Sequence, residues 1–410
     1  MREAVIVDGV RIPFGRAGER GALRDISTSE MIVPVLRTLV KRNNLDPKHV
    51  DEFYLGSYGD EDNYYALYPY EAFGIEGAQH MGKAMLSRQC AASLQAIQLA
   101  AGNIMCNWAD VVIVAGLDLG GRRGPFRPGG PPFFSVPGMY DPPPDPMPEG
   151  WTLAKMLPHW GEILPPDIMN MLQTGENVAE RFGVTREEAD LFAYKSQKKC
   201  EEAYDAGRFK DHVIPLTIEY EDGSSNTVEV DQGLRRGTTL EGLAGLRPVL
   251  KENGVVTAGN SCPQNDGASG VLVMSKEKAK ELGMKPLVTI RESIAVGVDP
   301  EVMGIGPLKA TEKLLKKTGK KIEEFDLVEI NEAFAAQCVP FQRELGVPDD
   351  KINVNGGAIA IGHPLGATGC RLVMQAAFEL KRRDARWAIA TLCIGLGQGM
   401  AMFLEREKYA

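Results

Sequence analysis

No apolar run in this sequence is long enough to cross a bilayer, no block of lysine and arginine stands out, and the cysteines show no paired spacing. Each absence removes a class of function. A membrane-spanning helix needs about 20 consecutive apolar residues, so none is expected. The formal net charge is −9 and the basic residues are scattered, which excludes nucleic acid and an anionic membrane surface as expected main partners. The 7 cysteines are odd in number and dispersed, so neither a disulfide framework nor a metal site is expected. They read as reduced thiols of a cytoplasmic protein. Histidine is scarce, at 5 residues in 410, so the setting of each one can be weighed. The first seven residues read as a β-strand rather than a signal peptide, and the last three match no anchor or address signal.

What is present is the balance of an ordinary globular chain, 44% hydrophobic and 25% charged, long enough for two or three cores. An internal repeat organises it. A helical stretch over 29–41 leads through a polar turn into an apolar strand over 52–56. A second helical stretch, over 307–317, leads through a similar turn into a strand over 327–330. Each half then carries a turn, a helix rich in small residues (90–105 and 366–380) and a strand (110–116 and 387–393). Helical periodicity alternating with short β-branched runs predicts stacked βα units with buried sheets, hence a duplicated α/β domain.

Between the halves the texture changes. Residues 120–150 are dense in Gly and Pro, which excludes regular helix or central strand. Interspersed Phe126, Phe133, Phe134, Met139, Tyr140 and Trp151 point to a packed irregular excursion rather than a flexible linker. Helices are expected over 174–182 and 186–206, the second opened by the capping box of Thr185 and Glu188.

Reactive residues lie at turns of the repeat. Cys90 precedes a helical run, where free N–H groups favour an anion and so a readier thiolate. A lone buried cysteine is more often a small hydrophobe, which is the competing explanation. His363 sits in Gly362-His363-Pro364, at the turn of the second half equivalent to that of Cys90. Cys393 ends a strand and enters Ile394-Gly395-Leu396-Gly397, which lacks the lysine of a phosphate loop but can aim backbone N–H groups at an oxyanion. Asn331 and Glu332 follow a strand at the edge where open α/β sheets bind ligands; an inert turn is the alternative. Two thiols, a histidine and fixed donors would suit carbon–carbon bond exchange next to a thioester.

Together, Cys90, Asn331-Glu332-Ala333-Phe334, Gly362-His363-Pro364 and Cys393-Ile394-Gly395 resemble the thiolase family of acetyl-CoA acyltransferases and acetyltransferases. Thr174-Gly175-Glu176-Asn177, Thr257-Ala258-Gly259-Asn260-Ser261 and Met303-Gly304-Ile305-Gly306-Pro307 extend the likeness over nearly the whole chain, in the family's order. The resemblance implies a five-layered α/β/α/β/α fold. Its halves would be 1–119 (completed by about 246–274) and 275–410, with a loop domain at 120–245 inserted over coenzyme A. It implies Cys90 as acylated nucleophile, His363 as its activator and Cys393 as the acid/base at the α-carbon. One oxyanion hole would combine His363 with a water held by Asn331, the other the N–H groups of Cys90 and Gly395. Arg235, Ser261 and Cys262 match positions near coenzyme A, and Met303, Phe334 and Leu396 positions near the acyl pocket. For Arg235 a solvated surface arginine is the alternative. Coenzyme A enters as a substrate, with no permanently bound cofactor, and a homodimer or homotetramer is implied.

Departures from the family pattern are Ser93 and Leu396 where glycine is common, Cys262 where serine is common, Asp118 for glutamate, and the 120–172 stretch. These suggest crowding near the nucleophile and an acyl group that is bulky, branched or cyclic. They also keep two alternatives open: a condensing enzyme of the ketosynthase type using a carrier protein, and a non-catalytic coenzyme A-binding subunit.

Overall fold

The computed structural model describes residues 2–58, 65–119, 170–220 and 222–409. The first half contributes strands β1 (Ala4–Arg11), β2 (Glu52–Gly56), β3 (Gly82–Leu86), β4 (Val111–Leu119) and β5 (Asn265–Ser275). The second contributes β6 (Val288–Gly297), β7 (Leu327–Ile330), β8 (Trp387–Ile394) and β9 (Gln398–Arg406). They line up as β7-β8-β9-β6-β1-β5-β4-β2-β3, with the two-residue strand Gly15–Arg16 beside β5.

The repeat is visible in the pairing. In the first half β2 runs parallel to β4, followed outward by antiparallel β5 and β1. In the second, β7 runs parallel to β8, followed by antiparallel β9 and β6. Among the described residues the half-sheets join where Val5 and Ile6 of β1 pair with Thr289 and Val288 of β6. A parallel bridge from Val328 to Ile352 stands where β3 stands beside β2.

Four helices complete the layers. α1 (Thr28–Arg42), capped by Ser27 and Glu30, covers the outer face of the first half-sheet over Met31, Leu36, Ile113 and Leu272. Its counterpart in the second half, Gly306–Thr318, covers the other outer face over Leu314, Ile389 and Phe403. Between the half-sheets lie α2 (Ala92–Met105) and the helix Leu365–Arg383, whose apolar faces join Val112, Val114, Leu392 and Met402 in one core. Strands covered on both faces need no polar alternation, which is why β1, β4 and β5 are buried along their whole length. The fold is the five-layered α/β/α/β/α arrangement that the family resemblance implies, built on the duplicated α/β halves expected from the repeat.

Glycine sets how closely the two middle helices approach. A Cβ at Gly369 would run into the Leu94 backbone nitrogen, and one at Gly116 into the Gly366 carbonyl. The helix starts carrying Cys90 and His363 are thereby brought to one end of the sheets.

The inserted segment adds α3 (Met171–Phe182) and α4 (Arg186–Asp205), the latter opened by the expected Thr185–Glu188 capping box. It is tied to the end of β1 by a buried cluster. Arg11 donates to both oxygens of Asp231 at 2.6 and 2.8 Å, and the Tyr204 hydroxyl donates to Asp231 at 2.7 Å. The expected packed excursion over 120–150, and most of the 120–172 stretch read as unusual, lie outside the described residues. Among the described residues no helix is long and apolar enough to cross a membrane, and all seven cysteines are free thiols.

Candidate active site

Three helices of the second half, α5 (Gly306–Thr318), α6 (Ala335–Leu345) and α7 (Leu365–Arg383), frame the site. Cys90 lies in a single tight turn, Gln89–Ala91, immediately before α2. Gln89 takes a φ of 46° to make that turn, a left-handed conformation uncommon for a non-glycine residue. The Gln89 side-chain oxygen occupies the space that a Cβ on Gly395 would need. Gly395 therefore comes close enough for its backbone N–H to donate to Cys90 Sγ.

The position of Cys90 does not make it a ready thiolate, contrary to the expectation from a helix start. Burial pushes its thiol well above the ordinary range, and neighbouring Cys393 pushes in the same direction. The Gly395 N–H and the residue's own N–H pull it back but do not prevail, because desolvation is the largest influence. Cys393 is likewise pushed up to about 12, mainly by burial. Both are neutral thiols at neutral pH, so attack by Cys90 requires a base.

The histidine expected to act as that base, His363, is fixed through both its backbone and its ring. Its backbone N–H donates to Asn265 Oδ1 at 2.8 Å, and Nδ1 lies 2.7 Å from the Thr368 hydroxyl. That hydroxyl gives its own proton to the Pro364 carbonyl at 2.8 Å. Thr368 can thus only accept from the ring, which puts the imidazole proton on Nδ1 and leaves Nε2 as the basic nitrogen. Asp118 fastens the same turn, accepting from the Leu365 N–H at 2.6 Å, and lies near enough to Cys90 to disfavour its thiolate.

Cys393, at the end of β8, donates its S–H to Gln337 Oε1 at 3.3 Å. Gln337, on α6, also donates through Nε2 to the Asn331 carbonyl at 3.0 Å, so one amide links the thiol to the loop after β7. Asn331 Oδ1 accepts from Arg371 at 3.1 Å. Its Nδ2 is buried with no partner among the described residues, a donor left for a water or a substrate oxygen. Glu332, beside it, turns the other way. Its buried carboxylate accepts from Ser196 at 2.6 Å, Asn353 at 2.6 Å and the Ile359 N–H at 3.1 Å, tying the loop to α4.

Met303, Phe334 and Cys393 share one apolar cluster, with Cys262 packed against it. The 260–262 segment is sewn to the Asn331 loop by an antiparallel bridge and by hydrogen bonds from Cys262 N to Ala333 O and from Ala335 N to Asn260 O. Ser261 Oγ is buried without a partner among the described residues. The Cys262 thiol is raised to about 12 by burial and by the proximity of Cys90. Arg235 is exposed, with partial desolvation and neighbouring Arg16 lowering its pKa. Its N–H is held by Gln197 Oε1 at 2.8 Å.

Two of the sequence departures take on a different meaning. Ser93 does not crowd the nucleophile: its hydroxyl accepts from the Cys370 N–H at 3.1 Å, inside the α2–α7 contact. Leu396 adopts φ 62°, so the glycine common in the family matches the backbone there and this chain holds a leucine in a left-handed turn. Three residues escaped the sequence reading, namely Thr368, Gln337 and Arg371. Thr368 lies one helical turn beyond His363, which was a usable signal, whereas nothing local to Gln337 or Arg371 announces the site.

Family models agree with this geometry. "Thiolase, N-terminal domain" matches residues 4–120 and 164–277, and "Thiolase, C-terminal domain" matches 284–406. This chain belongs to the thiolase family. Among curated thiolase relatives, the acetyl-CoA acetyltransferase of Pseudomonas aeruginosa is 39% identical over 99% of this chain and 100% of its own length. The 3-oxoadipyl-CoA/3-oxo-5,6-dehydrosuberyl-CoA thiolase of Escherichia coli is 38% identical with the same coverage. The solved acetyl-CoA acetyltransferase of Bacillus anthracis superposes on this thiolase with a TM-score of 0.84 at 36% identity, covering 99% of each chain. Human mitochondrial 3-ketoacyl-CoA thiolase in complex with CoA gives 0.82 at 32% identity, covering 99% of this chain and 98% of that one. The thiolase is an acyltransferase of coenzyme A thioesters, and these matches carry that activity over the carrier-protein and non-catalytic alternatives.

Proposed function

We propose that this thiolase exchanges an acyl group between a 3-oxoacyl-CoA and coenzyme A through an acyl-Cys90 intermediate. The observation that carries the reading is the juxtaposition of two neutral buried thiols, Cys90 and Cys393, with the Gly395 N–H donating to Cys90. In the cleavage direction, His363 Nε2 takes the Cys90 proton and the thiolate attacks the 3-oxo carbon. The bond between C2 and C3 breaks, its electron pair passes to C2, and Cys393 protonates C2 to release acetyl-CoA. Coenzyme A then gives its thiol proton to the Cys393 thiolate and attacks the acyl-Cys90 carbonyl. Expelled Cys90 recovers the proton from His363, and the cycle closes.

Two donor sets serve the two anions. The N–H groups of Cys90 and Gly395 hold the oxyanion on the acyl-Cys90 side. Asn331 Nδ2, through a water, and His363 hold the enolate oxygen of the acetyl-CoA side. Met303, Phe334 and Leu396 shape the acyl pocket, while Ser261, Cys262 and Arg235 serve coenzyme A. The remaining proposals are a cytoplasmic homodimer or homotetramer and an acyl group larger than acetoacetyl, the latter suggested by the composition of 120–172.

The decisive experiment is a chain-length and branching panel of 3-oxoacyl-CoA thioesters, read by turnover and by intact mass of the acylated protein. Cys90→Ala should abolish both turnover and the mass increment, and Cys393→Ala should depress turnover steeply. Unchanged turnover in Cys90→Ala would sink the mechanism. A strong preference for acetoacetyl-CoA would withdraw the large acyl group.

A further inference from the structure

Arg371 is fully buried on α7, an expensive place for a guanidinium. Its nearest carboxylate, Glu329 on β7, is 3.8 Å from Nη1, beyond hydrogen-bonding reach. Nε and Nη1 have no hydrogen-bond partner among the described residues. Among the described residues, the guanidinium's direct hydrogen bond is to the side chain of Asn331, from Nη2 to Oδ1 at 3.1 Å. A buried ion pair of this geometry contributes little stability, and an apolar pair of similar volume would often serve the fold as well. The use of the charge is local.

An asparagine amide can present either end to a neighbour, but arginine carries only donors. Facing Arg371, Asn331 must present Oδ1, since the flipped amide would set N–H against N–H. That choice makes Nδ2 the free end, and Nδ2 is the buried donor left without a partner among the described residues. The backbone of Asn331 is fixed independently, its N–H donating to Thr391 O at 2.9 Å and its carbonyl accepting from Gln337. Only rotation of the side-chain amide remains to be decided.

We propose that Arg371 is a positioning residue that locks the Asn331 amide with Nδ2 available to the enolate side of the reaction. The inference rests on the reading of Asn331 given under Proposed function. Its consequence is a selective defect. Acetyl transfer from acetyl-CoA to Cys90 uses the Cys90 and Gly395 N–H groups and does not need Asn331. Removal of an α-proton from acetyl-CoA by Cys393 generates the enolate and does.

The test uses the double variant Arg371→Met/Glu329→Gln, which removes the buried charge together with its acidic neighbour so that neither is left uncompensated. Arg371→Lys, which keeps a charge but not the planar fork, accompanies it. Two rates are measured on each full-length protein: deuterium exchange into the methyl group of acetyl-CoA in D2O, and acetylation of Cys90 by intact mass after rapid mixing. The expected result for the double variant is exchange lowered about 100-fold with acetylation within about threefold of wild type, since loss of an oxyanion donor costs that order. Arg371→Lys should recover part of the exchange rate. Equal loss of both rates would mark a structural role and overturn the proposal, as would unchanged exchange in the double variant. Asn331→Ala separates the two levels. If it leaves exchange intact, the reading of Asn331 itself is wrong; if it slows exchange and the Arg371 variants do not, only the inference falls.

Discussion

Gly369→Ala adds one methyl group where α7 meets α2, and the structure gives its cost. The new Cβ would overlap the backbone nitrogen of Leu94, and backbone cannot swing aside as a flexible side chain can. Ordinary carbon–nitrogen contact requires the helices to part by about 1 Å, and overpacking of this kind costs about 1–3 kcal/mol. The same separation moves the starts of both helices, where Cys90 and His363 are held, and a 1 Å misplacement of reacting groups can cost about 100-fold in rate. Gly102→Ala on α2 is the matched control, because a Cβ there meets nothing within 4 Å. In that open helical position alanine should stabilise by about 0.5–1 kcal/mol. Urea unfolding at fixed protein concentration, paired with steady-state thiolysis, reads both effects. The pair should move in opposite directions in stability, with turnover lost only in Gly369→Ala. If Gly369→Ala unfolds at the wild-type urea midpoint and turns over normally, glycine-set helix approach does not build the site.

Other consequences follow from single residues. His212 is buried, stacked on Phe378 at 5.0 Å, and its pKa is lowered to about 3 by burial, with Arg11 and Arg42 adding to the effect. A depressed folded-state value means that its contribution is complete above its unfolded pKa near 6.5 and is lost as pH falls toward 3. Between pH 6.5 and 5 that loss is about 2 kcal/mol, from about 1.36 kcal/mol per unit. His212→Phe should therefore flatten the acid limb of a stability–pH curve by close to one proton, and an unaltered slope would refute the assignment. Thr368→Val removes the acceptor for His363 Nδ1–H while keeping the volume, and turnover should fall about 10–100-fold with little change in unfolding midpoint. Restored turnover on Thr368→Ser would separate the hydroxyl from the methyl. Leu396→Gly relieves a left-handed leucine but gains chain entropy in the unfolded state, so stability should change by less than about 1 kcal/mol. Its readout is specificity: kcat/KM for long 3-oxoacyl-CoA substrates should rise relative to acetoacetyl-CoA, and a ratio unchanged would remove Leu396 from the acyl pocket.

Much of this was legible in one dimension. Local hydrophobic periodicity and turn chemistry depend on neighbouring residues, so the strand–turn–helix repeat, the Thr185 capping box and the turns bearing Cys90, His363 and Cys393 could be read directly. The order of the two halves followed from their similarity. Other properties are sums over groups distant in sequence. The elevated Cys90 pKa reverses the helix-start expectation, because desolvation by surrounding layers outweighs a few local N–H groups. The imidazole tautomer depends on where Thr368 sends its proton, and the Asn331 amide on an arginine 40 residues away. Whether Ser93 obstructs the nucleophile or joins two helices depends on Cys370, whose N–H its hydroxyl accepts from. The duplicated α/β architecture is legible in the chain alone, as are the turns that carry the proposed catalytic side chains, since both are written in local patterns. Tertiary structure alone decided their protonation and orientation, because those depend on burial and on partners that only folding brings within reach.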